Sequence, residues 1–429
     1  MSVRAIASVT LLAVAAAACG SGGGAEGEDA KTLTYWASNQ AAGIELDKKI
    51  LQPELDKFER ETGIKVDLEV IPWSDLQNRI LNATTGGQGP DVVNIGNTWS
   101  ASLQATGAFV AFDDATLAKV GGKDRFLASS MSSTGAAGQP PGSVPLYGMA
   151  YGLYYNKQRF AEAGIEEPPK TWEELRETAK KLTSGDKYGM TLLGASYTEG
   201  VHFAWMFGKQ NGATVFDGDR PAFDSPEMVA GVKRYLDLMA VDKVVSPSAA
   251  EYGQDAQMYR DFATGKAAMI IMQNNGTAGL AANGVEPDEY GVVPVPLPAA
   301  AKEQVTSHVA GINVAVFKDA ANPEGALKFV EFLTSPGEQT VLNKAFGSLP
   351  VVNGVTDPAF QSDKNKVFGE VLAKTARPLP MIPQEAQFET LVGTAVKDLF
   401  ADVATGEQVT ETEIKAKLAE ANQKMLAGG

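Results

Sequence analysis

Two histidines and one cysteine stand among 429 residues. That supply leaves little with which to build a zinc site or a Cys–His nucleophilic pair. His202 and His308 are isolated in sequence, and each reads as a packed or hydrogen-bonded side chain rather than a catalyst. Acids are plentiful, 52 in all, so a glycosidase pair is chemically open, but no two acids stand out by spacing. Asp217-Gly218-Asp219 lacks the ligand spacing of an EF-hand loop and reads as a turn. Thr264-Gly265-Lys266-Ala267 ends like a phosphate loop, yet it has neither the following Ser or Thr nor the upstream glycine. No Gly-x-Gly-x-x-Gly follows the first strand, and no Gly-x-Ser-x-Gly elbow occurs. No catalytic residue, cofactor or metal is assigned. Aromatic residues beside amides are more suggestive. Tyr35-Trp36-Ala37-Ser38-Asn39-Gln40 and Asn97-Thr98-Trp99 join rings that can cover the C–H faces of a sugar to groups that can satisfy its hydroxyls. Trp172 opens an amphipathic helix and reads as core.

These clusters sit where strands end. Leu33 to Ala37 is a short apolar run. Leu46, Ile50, Leu51, Leu55 and Phe58 then recur at helical spacing, and Gly63 closes that helix as a C-cap glycine would. Ile64, Val66, Leu68 and Val70 alternate as a strand does. Ser74 with Gln77 makes a capping-box signal before Leu76, Ile80 and Leu81. Residues 90–95 form another buried-type strand. Strand, helix, strand, helix, strand predicts an α/β lobe with a largely parallel sheet, whose ligands sit beyond the carboxyl ends of the strands. That places residues 38–40 and 96–100 beside a cleft. Thr171 with Glu174 makes a second capping box. Ser225-Pro226, Asn322-Pro323 and Ser335-Pro336 each set a cap residue before a proline at the first helical position. Strand-like runs cover 148–155, 267–272, 291–295 and 310–317. The stretch 129–142, rich in Ser, Gly, Ala and Pro, reads as an ordered surface loop.

The first 30 residues read as an address. Arg4 is followed by a short apolar segment over 6–18 and then Ala16-Ala17-Ala18-Cys19-Gly20. This is a secretory signal over 1–18 ending like a bacterial lipobox, with Cys19 as the lipidated residue; the position three before it, usually Leu, is Ala16. A plain Ala-x-Ala cut is the alternative. Residues 19–30 hold that cysteine and a flexible, glycine-rich tether. Lys and Arg number 37, so the net charge is −15, and no basic footprint for nucleic acid is present.

Several segments together resemble the extracellular solute-binding proteins of ABC importers, in the carbohydrate-binding family that includes maltose-binding protein. They are Gly89-Pro90-Asp91-Val92-Val93; Gly148 to Lys157, read as GMAYGLYYNK; Pro168-Pro169-Lys170-Thr171-Trp172-Glu173-Glu174-Leu175; Phe262 to Met269, read as FATGKAAM; Ala326 to Leu333, read as ALKFVEFL; and Gly347-Ser348-Leu349-Pro350-Val351. Their order along nearly the whole chain after the signal carries the likeness.

The resemblance implies a two-lobed periplasmic-binding-protein-like α/β fold, each lobe a mostly parallel sheet flanked by helices. Three crossings would fall near 149–151, 307–309 and 349–352. One lobe would be 31–149 plus 309–350, the other 150–308 plus 351–429. It also implies a monomer that closes on a neutral mono- or oligosaccharide without altering it and then docks on a pair of membrane permease subunits. Such a protein works outside the cytoplasm, anchored here to the outer face of the membrane through Cys19. Ligand contacts carried over by position are Trp36, Ser38 and Gln40; Asn97 and Trp99; Tyr151 at the first crossing; His202 and Trp205; and Asn274 and Asn275. Many relatives carry Trp near Asn275, where it stacks on sugar. Here an amide stands instead, so Trp205 or Trp73 is expected to supply the stack. Arg377 is the one cation that could approach the cleft, as an acidic ligand would require, with a surface role as the alternative. A non-sugar or acidic solute, a sensor role and a secreted carbohydrate-active enzyme are the competing readings.

Overall fold

The computed structural model describes residues 31–41, 43–218 and 220–428. The secretory signal, Cys19 and the tether lie outside the described residues. In chain order the strands are β1 (Thr32–Ser38), β2 (Lys65–Ile71), β3 (Val92–Gly96), β4 (Val144–Met149), β5 (Tyr151–Asn156), β6 (Tyr188–Met190), β7 (Phe216–Asp217), β8 (Arg220–Pro221), β9 (Ala267–Gln273), β10 (Tyr290–Val293), β11 (Ser307–His308), β12 (Ala310–Val316) and β13 (Ala376–Arg377). One sheet has the order β2-β1-β3-β12-β4 and a second the order β10-β5-β9-β6. Each sheet is the centre of one lobe.

Neither sheet is mostly parallel. β1 runs parallel to β2 and β3, but β12 is antiparallel to β3 and β4. In the second sheet β6 and β9 are parallel, while β5 is antiparallel to both β9 and β10. The antiparallel pairs are those of β12 and β5, the strands that adjoin passages between the lobes.

Local signals became structure through simple chemistry. Gly63 has φ 71° and returns its N–H to the Glu59 carbonyl, ending the helix Ile44–Thr62. Thr171 and Glu174 close a reciprocal box at the start of Trp172–Lys181. Ser225, Asn322 and Ser335 each accept a backbone N–H with proline just inside the helix. The Ser74 box does not form. The helix Trp73–Gly86 begins one residue earlier, after Pro72, and has no side-chain cap; Ser74 lies in its first turn and faces the cleft. The stretch 129–142 is not all surface: Ser133 and Thr134 are buried, and the Ser133 carbonyl accepts from Asn313 Nδ2 at 2.8 Å.

Two apolar cores hold the lobes. In the first lobe's core Tyr35 packs edge-on against Phe329, and Phe58 packs tilted against the same ring. In the second lobe Phe203, Phe207, Tyr235 and Phe400 fill a core between helices Tyr197–Gln210, Pro226–Ala240 and Glu385–Ala404. The passages between lobes are tied by polar side chains. The run 148–155 breaks at Ala150, between strands of different sheets. Ala150 N–H donates to Asn274 Oδ1 at 2.8 Å, and Tyr151 N–H donates to Ser307 Oγ at 2.9 Å. Val309 separates β11 from β12; its carbonyl accepts from Asn97 Nδ2 at 2.7 Å. Later, Asn353 N–H still bonds the Arg125 carbonyl of the first lobe, and the helix Asp363–Lys374 packs on β5 and β10 of the second.

Candidate ligand-binding cleft

A cavity of about 620 Å³ opens between the lobes. Its first-lobe wall comes from the loop after β1, the start of the helix Trp73–Gly86 and the turn after β3: Asn39, Gln40, Trp73, Ser74, Asn97 and Thr98. Its second-lobe wall comes from two helix starts and the turn after β9: Tyr197, Glu199, Asp255, Tyr259 and Asn275. His202 and His308 line it at the crossing side.

The first wall is held by a buried acid. Asp47 Oδ1 accepts the N–H groups of Gln40 and Ala41 at 2.9 and 3.0 Å, and Asn39 donates to its other oxygen. Burial raises the Asp47 carboxyl, and these donors oppose that rise. Gln40 Nε2 donates to Ser38 Oγ at 3.0 Å and to the Asn39 carbonyl at 3.1 Å. This fixes the amide and leaves Gln40 Oε1 buried without a partner. Trp73 stacks on Trp99 with ring centres 4.5 Å apart. Gly96 makes room for the pair, since a Cβ there would lie 2.9 Å from the Trp73 ring.

A hydrogen-bonded chain runs beneath the second wall. Tyr151 donates its hydroxyl to the Glu199 carboxyl at 2.8 Å and lies 3.1 Å from His202 Nδ1. His202 Nε2 is 3.1 Å from Glu389 Oε1. Glu389 Oε2 accepts from Trp99 Nε1 at 2.9 Å, which joins the two lobes. Burial and the Glu389 charge push Glu385 well above the ordinary carboxylate range. Burial pushes Glu199 up. Asp255 is pushed up to about 7 by burial, with the Glu199 charge adding to it. His308 is held neutral, chiefly by burial; its Nδ1 has no partner. At the mouth, Tyr197 donates to Gln77 across the cleft at 3.3 Å. The lining therefore offers acceptors, amide and hydroxyl donors and ring surface, and among the described residues it contains no Lys or Arg.

Of the residues expected to touch ligand, Gln40, Asn97, His202 and Asn275 line the cavity. The others are placed elsewhere. Trp36 is covered by the Arg79 guanidinium, 4.2 Å from its ring centre. Ser38 is buried and accepts from Gln40 and Asn94. Trp99 is 1% exposed and lies behind Trp73. Tyr151 is buried beneath Glu199. Trp205 lies in the second lobe's core, because its helix is buried on nearly every face. Asn274 is fully buried and spent on the first passage, donating to Gly347 O at 3.0 Å as well as accepting from Ala150. Arg377 is exposed and bonds its own neighbours' carbonyls. Sequence reasoning missed Glu199, Asp255, Tyr197 and Tyr259. A signal existed: Ser196 caps the helix three residues before Glu199, and Asp255 opens the helix Asp255–Ala263, so both acids sit at helix starts.

Two sheet-centred lobes around a shared cleft define a binding protein that can enclose a small solute. The chain belongs to the family of bacterial extracellular solute-binding proteins, whose model matches residues 42–340. A solute-binding protein of an ABC transporter from Thermotoga lettingae, solved with α-D-tagatose, has a similar structure, with a TM-score of 0.79 at 27% identity over 92% of this chain and 100% of that one. The diacetylchitobiose binding protein DasA of Streptomyces coelicolor is 27% identical over 76% of this chain and 75% of its own. The sn-glycerol-3-phosphate-binding protein UgpB of Escherichia coli (strain K12) is 31% identical over 46% of each chain. Among the described residues no helix is long and apolar enough to cross a membrane.

Proposed function

We propose that this chain is the capture subunit of an ABC importer for a mono- or oligosaccharide. The observation that carries this is the cavity of about 620 Å³ shared by both lobes, with ring surface from Trp73, Tyr197 and Tyr259 beside amide, hydroxyl and carboxyl acceptors. That volume falls in the range of pockets that enclose most of a small ligand, roughly 300–1,000 Å³. The sugars and polyhydroxy compounds named for its relatives support the same class. Binding favours the closed arrangement because only there do both walls touch the solute. The lobes are taken as 31–149 plus 309–353 and 150–308 plus 354–429, since Asn353 is still bonded into the first lobe. The closed monomer then presents one lobe to each permease subunit. Residues 1–18 act as the secretory signal and Cys19 as the lipid anchor outside the cytoplasm, with 19–30 as tether. The ligand leaves unchanged, and no cofactor or nucleic acid takes part. An acidic solute is disfavoured because no cation lines the cleft and two carboxylates do.

Thermal melting of the chain from residue 20 onward against a sugar panel tests this. A ligand at 100 times its dissociation constant adds about 2.7 kcal/mol. A rise in melting temperature with one sugar class, and intact sugar recovered by chromatography, is the expected result. Cleavage of the sugar, or stabilisation by anionic solutes alone, would overturn it.

A further inference from the structure

Two acids of the cleft differ from the ion-paired buried acids of the molecule. Glu338 is 0% exposed and meets Lys57 at 2.5 Å. Asp242 is bound by Arg176 at 2.5 Å and reached by Lys180 at 3.3 Å. Glu199 and Asp255 have hydroxyls instead: Tyr151 donates to Glu199, and Tyr259 bonds Asp255. The Glu199 charge acts on Asp255, His202 is the basic side chain that acts on Glu199, and the lining supplies no Lys or Arg.

A second observation is independent of charge. Gln40 Oε1 and Asn275 Oδ1, both on the cleft, are buried acceptors with no donor. His308, 2% exposed, lines the same cleft with Nδ1 unpartnered. The Gln40 amide cannot simply be turned over, because its Nε2 is already donating to Ser38 and Asn39. Buried acceptors left without donors are costly. These acceptors therefore lack donors, and the two acids lack a Lys or Arg partner. One group supplies both: a primary ammonium has three N–H donors, one unit of charge and no acceptor.

We propose that the solute is a basic amino sugar, free or within a short oligosaccharide, whose unacetylated ammonium is received by Asp255 and Glu199. This rests on the sugar-binding reading. The neutral hydroxyl analogue brings one donor and no charge, so it leaves the pair uncompensated. The N-acetylated analogue adds an acceptor where acceptors already crowd. A phosphorylated or carboxylated sugar is repelled. Specificity is set by repulsion as much as attraction.

Calorimetric titration with matched pairs tests it: glucosamine against glucose, galactosamine against galactose, and the β-1,4-linked glucosamine disaccharide against cellobiose and diacetylchitobiose. At pH near 7 and low salt, the amine of at least one pair is expected to bind about tenfold or more tightly than its partners. That preference should shrink in high salt. Asp255→Asn and Glu199→Gln should each lower the ratio of amine to neutral affinity, with folding checked by melting temperature. If the neutral or acetylated member binds as well or better in every pair, the ammonium assignment is overturned while the sugar reading stands. A preference that both substitutions leave unmoved would overturn the assignment to these two carboxylates. If no carbohydrate of any kind binds, the sugar reading itself falls.

Discussion

Glu389 and Asp255 are both acids set against the same interlobe space, and their surroundings differ. Burial alone would raise the Glu389 carboxyl, but the bond and charge of His202 outweigh it and hold the group below its usual range. Trp99 of the opposite lobe completes the shell. Asp255 has the Tyr259 hydroxyl and no cation, and its carboxyl rises to about 7. One acid is finished by the fold; the other is left for something that arrives later. Buried polar groups are normally satisfied, and on the cleft Gln40 Oε1, Asn275 Oδ1 and His308 Nδ1 are not, which leaves them for a ligand.

The contrast predicts opposite signs for two substitutions. Glu389→Ala strips the acceptor from Trp99 Nε1 and leaves His202 facing a void, and it should cost about 3–5 kcal/mol of stability. Urea denaturation would show it as a lowered midpoint; an unchanged midpoint would mean that the interlobe chain contributes nothing. Asp255→Asn should instead stabilise the unliganded protein. The folded carboxyl titrates near 7, above the reference value of 3.8, so the folded state keeps a proton that the unfolded chain has released. Wild-type stability therefore falls as pH rises from about 4 to about 7. The variant escapes that loss, gaining about 1–3 kcal/mol above pH 7 and nothing near pH 3. Melting curves of both proteins across that window would check the sign.

The two faces of the tryptophan pair sharpen the comparison further. Trp99 is structural, bonded to Glu389, while Trp73 covers it and meets the cleft. Trp73→Ala should cost about 1 kcal/mol of stability and weaken sugar binding about tenfold. Equal affinity in wild type and variant would show that the stack lies elsewhere.

What the sequence disclosed and what it hid divide along the same line. Strand Thr32–Ser38, the Gly63 cap and the Thr171 box are local, set by residues within a few positions of one another. Which way a side chain faces is not local. Asn274 and Asn275 are adjacent, yet one is used up holding Ala150 and the other meets the cavity. Trp205 looked like a stacking ring because helix spacing alone does not tell that Tyr197–Gln210 is covered by Pro226–Ala240 on one side and Glu385–Ala404 on another. Asp47 lies in the first turn of its helix, where the dipole favours an acid; its grip on Gln40 and Ala41 needs the loop to fold back. Tertiary packing decides these cases, and it is where pattern reading ends.

The smallest expected effect tests whether the walls themselves hold the cleft shut. Tyr197 and Gln77 meet across the mouth at 3.3 Å, a neutral contact at the long end of the hydrogen-bond range. Such a bond contributes about 0.5–1 kcal/mol net, so Tyr197→Phe should raise the open-to-closed ratio of the empty protein by a factor of about two to five. The ring stays, so the aromatic surface offered to the ligand is unchanged. Labels placed on the two lobes and read by single-molecule fluorescence would report the ratio directly. Affinity should fall by no more than that same factor, because only the population of the competent state has changed. A much larger loss of affinity with an unchanged open fraction would mean that the hydroxyl binds the solute itself, and that the second wall does more of the recognition than its two acids.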